Sequence, residues 1–144
     1  MADSGRNYIS DFVEARLPDF FSQLADCIER AVAANNREHP DHRCIVRQRT
    51  TSLIGVDEDC IPYAGVRVVM NIKAQAVDVL QHAELDSVGE PERPKRVPVR
   101  VSVAAENGRE GSAQYLAFHF QAKRYRWPKE LADAILEFVF TQSV

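Results

Sequence analysis

Apolar residues recur along this chain with two different periods, and each switch between them marks an element. Leu17, Phe21, Leu24, Ile28 and Val32 stand three or four positions apart, with Asp19, Gln23, Asp26 and Arg30 between them. That spacing predicts an amphipathic helix running to about residue 36. Pro18 is suited to a first helical turn, where a missing N–H costs little, so residues 10–16 are expected as a short turn before it. Asn35, Asn36 and Pro40 close the pattern.

The period then drops to two. Cys44, Val46, Gln48, Thr50 and Ser52 alternate with Ile45, Arg47, Arg49, Thr51 and Leu53, which predicts one strand over residues 43–54. Residues 55–59 read as a loop, with Asp57 and its acidic neighbours at a solvated hairpin tip. A second strand follows, with Val66, Val68, Met70 and Ile72 on one face and Arg67, Asn71 and Lys73 on the other. Residues 74–85 admit two readings. Val77 and Val79 could extend the strand, whereas the Ala, Gln, Leu and Glu content favours a short helix, the reading adopted. Residues 86–94, charged and Pro-rich, are expected to form a surface loop.

The clearest alternation is Val97, Val99, Val101 and Val103. Pro98 among them points to an edge or a strand start. After a turn at Asn107-Gly108, residues 113–125 are expected as one strand. Leu116, Phe118, Phe120 and Ala122 would face one way, and Tyr115, His119, Gln121, Lys123 and Tyr125 the other. Pro128 opens a last helix whose stripe is Leu131, Ile135, Phe138 and Val139.

Helices at both ends and two hairpins between them predict a single α+β domain over residues 1–144. It would be a two-layer sandwich, with a mainly antiparallel sheet of about four to five strands and both helices on one face. The chain is long enough to bury a core without disulfide or metal staples, and 45% apolar with 27% charged residues is ordinary for a globular protein. No stretch approaches the roughly 20 apolar residues of a membrane span, and the first residues lack the basic and apolar regions of a signal peptide. A cytoplasmic protein without membrane contact is therefore expected. Cys27, Cys44 and Cys60 form an odd set without CxxC spacing, best read as reduced packing thiols. Cys44 and Cys60, near the two ends of the expected first hairpin, could also pair.

Charge sharpens the picture. Residues 93–129 hold nine Lys/Arg against Glu106 and Glu110, a net +7, which leaves −10 for the remainder of a chain whose total is −3. Such segregation can recruit a partner of opposite sign. With the valine and phenylalanine rows turned inward, Arg67, Lys73, Arg100, Tyr115, His119, Lys123 and Tyr125 would share an open sheet face. Arg47 and Arg49 could join from the first strand. Lys123, Arg124, Tyr125, Arg126 and Trp127 concentrate cations and aromatics in five residues, a composition suited to an acidic groove or a phosphate backbone. Trp127 is expected to cap the core under the last helix. The bland alternative for the whole face is a solvated surface whose cations discourage aggregation.

Other chemistry is weaker. His39, Asp41, His42 and Cys44 are zinc-compatible types, but their spacing matches no standard zinc pattern. The acidic run at Asp57 lacks a calcium-loop frame. No nucleophile elbow, phosphate loop or dinucleotide fingerprint occurs, and a Cys44–His119 pair would need the fold to bring the two together.

The sequence thus points first to a non-catalytic binding protein, an assembly factor, chaperone or inhibitor, that engages an acidic protein partner and needs no cofactor. Nucleic-acid binding through the same face comes second, and a small metal- or Cys/His-dependent enzyme third. The element order is similar to that of small bacterial secretion chaperones and of some phage tail-assembly proteins, a likeness of architecture alone. A homodimer through Val69, Tyr115 and Ala117 would cover the open sheet.

Overall fold

The structure is a computed structural model, and it describes residues 4–41, 43–58, 61–82, 95–105 and 113–141. Helix α1 (Ser4–Glu38) leads into seven strands: β1 (Cys44–Arg49), β2 (Leu53–Glu58), β3 (Ile61–Asn71), β4 (Ala76–His82), β5 (Lys95–Ala105), β6 (Gln114–Phe120) and β7 (Lys123–Tyr125). Helix α2 (Pro128–Thr141) ends the order. All strand pairs are antiparallel and neighbours in sequence are neighbours in space, so the sheet is an open meander from β1 to β7. The class is α+β, with seven strands rather than four or five.

Both helices share one core with alternate residues of the sheet. Val13, Leu17, Phe21, Leu24 and Ile28 of α1 are fully or almost fully buried, as are Leu131 and Ile135 of α2. They meet Ile54, Val56, Val66, Val68, Val77, Val79, Val99 and Phe118. Phe20 stacks on Phe118 with ring centroids 3.8 Å apart, and Phe138 meets Phe120 edge-on at 5.4 Å. Cys27 packs against this core.

Four expectations need correction. First, α1 does not begin at Pro18; it runs through it. A proline inside a helix costs about 3 kcal/mol. Extending the helix backwards buries Val13 completely and packs Phe12 against the core, each worth about 2 kcal/mol, so burial outweighs the lost hydrogen bond. Second, residues 43–58 form two strands, not a strand and a loop. Thr50 N–H donates to the Leu53 carbonyl at 2.7 Å to close the turn, and Asp57 sits buried within β2. Third, residues 76–82 are strand. Val77 and Val79 pair with Met70 and Val68 on one side and with Val99 and Val97 on the other, and the burial of both valines overrides helix propensity.

Fourth, residues 113–125 do not form one strand. Gln121 and Ala122 take φ of 52° and 63°, which gives the two-residue turn whose twist suits a tight hairpin. The chain folds back, so Lys123 pairs with Phe120, Arg124 with His119 and Tyr125 with Phe118. Tyr125 therefore belongs to the core side and packs there, while Arg124 takes the open face in its place.

Trp127 also departs from expectation. Its carbonyl accepts from Leu131 N–H at 3.2 Å at the start of α2, but its side chain is 55% exposed instead of capping the core. No helix among the described residues is long and apolar enough to cross a membrane.

Candidate binding site

The sheet face turned away from the helices divides into two halves with different electrostatics. Register places Asp57 opposite Gly65, Gly55 opposite Arg67, and Asp78 opposite Pro98. In this half the two buried carboxylates, Asp57 and Asp78, each have a cation. Arg67 Nη1 donates to Asp57 Oδ1 at 2.8 Å, and Arg47 Nε stands 3.6 Å from Oδ2 of the same group. Arg96 forks onto Asp78 with hydrogen bonds of 3.1 and 3.0 Å. Burial of Asp57 and Asp78 is tolerable because each is paired and hydrogen-bonded.

Arg49 leaves this face altogether. The bulge between Val46 and Gln48 turns it toward α1, where its two guanidinium nitrogens reach Asp26 at 2.8 Å and Glu29 at 2.9 Å. The Asp26 hydrogen bond, opposed by desolvation and reinforced by Glu29, raises its pKa above the ordinary value.

The β5–β7 half is different. Arg100, His119 and Arg124 lie directly opposite one another across three strands. His119 Nε2 shares a 2.8 Å hydrogen bond with the Ser102 hydroxyl. With Lys123, the three line a cleft of about 650 Å³ whose other walls are Val97, Pro98, Gln121 and Ala122. That described lining contains no carboxylate. Arg100 and Arg124 stand on either side of His119 in register, and the described lining gives neither a carboxylate.

Next to the row is an aromatic and cationic cluster. Arg124 Nη2 donates to the Tyr115 hydroxyl at 3.4 Å. The Arg126 guanidinium lies 4.0 Å from the Tyr115 ring centroid and 4.7 Å from that of Trp127, both within cation–π range. Tyr115, Arg126 and Trp127 also border a groove of about 320 Å³ against Arg16, Asp19 and Phe20 of α1.

Of the residues singled out in the sequence, Arg100, Tyr115, His119, Lys123, Arg124 and Arg126 come together at this β5–β7 corner. Arg67 stays on the open face, with its charge engaged by Asp57. Lys73 stands exposed in the β3–β4 turn, and Tyr125 faces the helices. Ser102 was missed, and its only signal is its place opposite Ala117 and beside His119 in register.

The remaining candidates separate. Cys44 is buried on the helix side of β1 and His119 is on the opposite face of β6, with four strands between them, so they form no pair. Asn36 takes up the Cys44 backbone, accepting from its N–H at 2.8 Å and donating to its carbonyl at 2.9 Å. Among the described residues no group of His, Cys, Asp or Glu could hold a metal ion; His39 and Asp41 are exposed. Ala117, expected at a dimer contact, is fully buried. His42, Asp59, Cys60, the 86–94 loop and the Asn107-Gly108 turn lie outside the described residues, as does the Val139 side chain.

A scan of protein-family models finds no match to this chain, and searches of curated proteins and of solved structures find none. Fold and site define an α+β meander with a cationic corner, and the corner's own chemistry carries the functional argument.

Proposed function

We propose that this is a binding protein that captures an acidic protein partner on the β5–β7 corner, acting by recognition and not by catalysis. One observation carries the reading. Arg100, His119, Lys123 and Arg124 line a single cleft whose described lining holds no carboxylate, whereas Arg47, Arg67, Arg96 and Arg49 are each paired within the molecule. A partner's carboxylates would bring the opposite charge that the described lining of this cleft lacks. Tyr115, Arg126 and the exposed Trp127 beside the cleft are the residue types that dominate interface hot spots.

A protein fits better than a long nucleic acid. Outside residues 93–129 the chain carries −10, so a polyanion running past the corner meets a surface that repels it. Arg126 also covers a face of both Tyr115 and Trp127, faces that stacked bases would need.

The test uses a fluorescent Asp/Glu-rich peptide and the full chain. Substituting Arg100, Lys123, Arg124 and Arg126 together with Glu is expected to abolish binding with an unchanged circular-dichroism spectrum. Binding that survives the substitution rejects the proposal. Retention of single-stranded RNA or DNA in preference to the peptide would replace it with the nucleic-acid reading.

A further inference from the structure

We infer that the Arg100–His119–Arg124 row is a phosphate-monoester site, so that the acidic partner is gripped through a phosphorylated side chain. This rests on the proposed capture of an acidic protein at the same corner and names the group it grips.

The argument is one of charge count and geometry. A carboxylate brings a single negative charge, and one arginine fork matches it at Asp78, where Arg96 makes both hydrogen bonds; Asp57 takes the Arg67 fork with Arg47 beside it. The cleft offers more than one carboxylate can use. Arg100 and Arg124 flank His119 in adjacent register positions, with Cβ atoms of such neighbours about 5 Å apart, and Lys123 borders the same space. A phosphate monoester carries a charge of about −1.5 to −2 on three acceptor oxygens. It can therefore accept from several of these donors at once, and guanidinium forks match its geometry better than ammonium groups do.

The donors are also held in place. The Ser102 hydroxyl fixes the His119 ring through Nε2 and leaves Nδ1 as the ring atom able to face a ligand. The Tyr115 hydroxyl steadies the far end of Arg124. The cleft volume of about 650 Å³ is ample for the group and the side chain that bears it. Ion pairs in the other half of the face show how this sheet treats a cation whose role is internal: it supplies a carboxylate. Here the described lining supplies none.

The experiment is calorimetric titration of the full chain at fixed ionic strength with one peptide in three forms, carrying phosphoserine, serine or glutamate at its centre. A short uridine-rich RNA and inorganic phosphate serve as further probes. The phosphoserine form is expected to bind at least about tenfold tighter than the glutamate form, the worth of one charge-assisted hydrogen bond, and inorganic phosphate is expected to compete with it. The R100Q/R124Q variant should lose that margin, while K129Q, altered on exposed α2 surface, should keep it. Equal affinities for the phosphoserine and glutamate forms, both lost in R100Q/R124Q, would overturn the phosphate assignment and leave acidic-partner capture standing. Failure of every peptide to bind would overturn both, and tighter binding of the RNA would overturn the phosphopeptide in favour of a nucleic acid.

Discussion

Arg67 reaches Asp57 by lying across Gly55, with its Nη1 2.8 Å from the carboxylate Oδ1. The Asp57 side chain is only 6% exposed and that of Arg67 26%, so the pair is largely removed from water. The glycine is part of the arrangement. A Cβ at position 55 would stand 2.8 Å from Arg67 Cδ and 2.9 Å from Nε.

Arg67→Ala should therefore cost about 3 kcal/mol, because it strands a buried carboxylate with only Arg47 near it. Gly55→Ala should also destabilise, since the new methyl displaces the arginine from Asp57. The two losses share one cause. In a double-mutant cycle read by urea denaturation, G55A should cost about 1 kcal/mol less in the R67A background than in the parent. Strict additivity would show that Gly55 serves something other than Arg67.

The junction between α1 and β1 makes a second prediction. The Asn36 carboxamide accepts from Cys44 N–H and donates to Cys44 C=O, so one side chain stands in for a neighbouring strand at the sheet edge. Asn36→Ala leaves two half-buried backbone groups without these bonds, a loss of about 1–2 kcal/mol. Amide hydrogen exchange at Cys44 should quicken markedly in N36A, while exchange in the central strands β3 and β4 follows only the global change in stability. An unchanged Cys44 amide would mean that the carboxamide is not what protects it.

Much of this fold was legible in the alternation of valines. Val66, Val68, Val97 to Val103, Leu116 and Phe118 turn inward as their spacing demands, and the helical stripe from Leu17 to Val32 is the stripe that is buried. What escaped the pattern depends on contacts distant in sequence. Asp57 reads as loop because acidic residues seldom sit in sheets, and it becomes strand because Arg67, ten positions away, neutralises it. Residues 76–82 read as helix by composition, but the walls that bury Val77 and Val79 come from β3 and β5. The candidate site was half legible. Arg100 and His119 follow from alternation, whereas the exchange of Tyr125 for Arg124 and the place of Lys123, opposite Phe120, depend on a reversal at Gln121-Ala122, which lacks the Asn-Gly signature that would announce it.

That reversal is itself testable. Two non-glycine residues with positive φ, 52° and 63°, each carry a conformational cost that glycine or asparagine would largely avoid. Replacing Gln121-Ala122 by Asn-Gly should raise stability by about 1 kcal/mol, seen as a higher denaturation midpoint with an unchanged slope. Destabilisation by Asn-Gly would contradict the hairpin and restore the single continuous strand.

Arg49 gives the contrasting electrostatic case. It joins β1 to α1 through Asp26 and Glu29 at 2.8 and 2.9 Å, but all three side chains remain substantially in contact with water. Arg49→Gln should then cost less than about 1 kcal/mol, well below the Arg67→Ala loss, because exposed pairs gain little over solvation. The difference between parent and R49Q should shrink as salt is raised from about 0.02 M to about 1 M, where the screening length falls to about 3 Å. The sign with pH follows from the raised pKa of Arg49. A group whose pKa is higher folded than unfolded stabilises the fold wherever it is protonated in both states, and it loses that contribution only as pH climbs through the folded value. The Arg49 titration should therefore leave the R49Q difference constant through neutrality and reduce it only in strong alkali. A difference that grows with salt, or that Arg67→Ala fails to exceed, would mean that burial does not separate these two arginines as the structure places them.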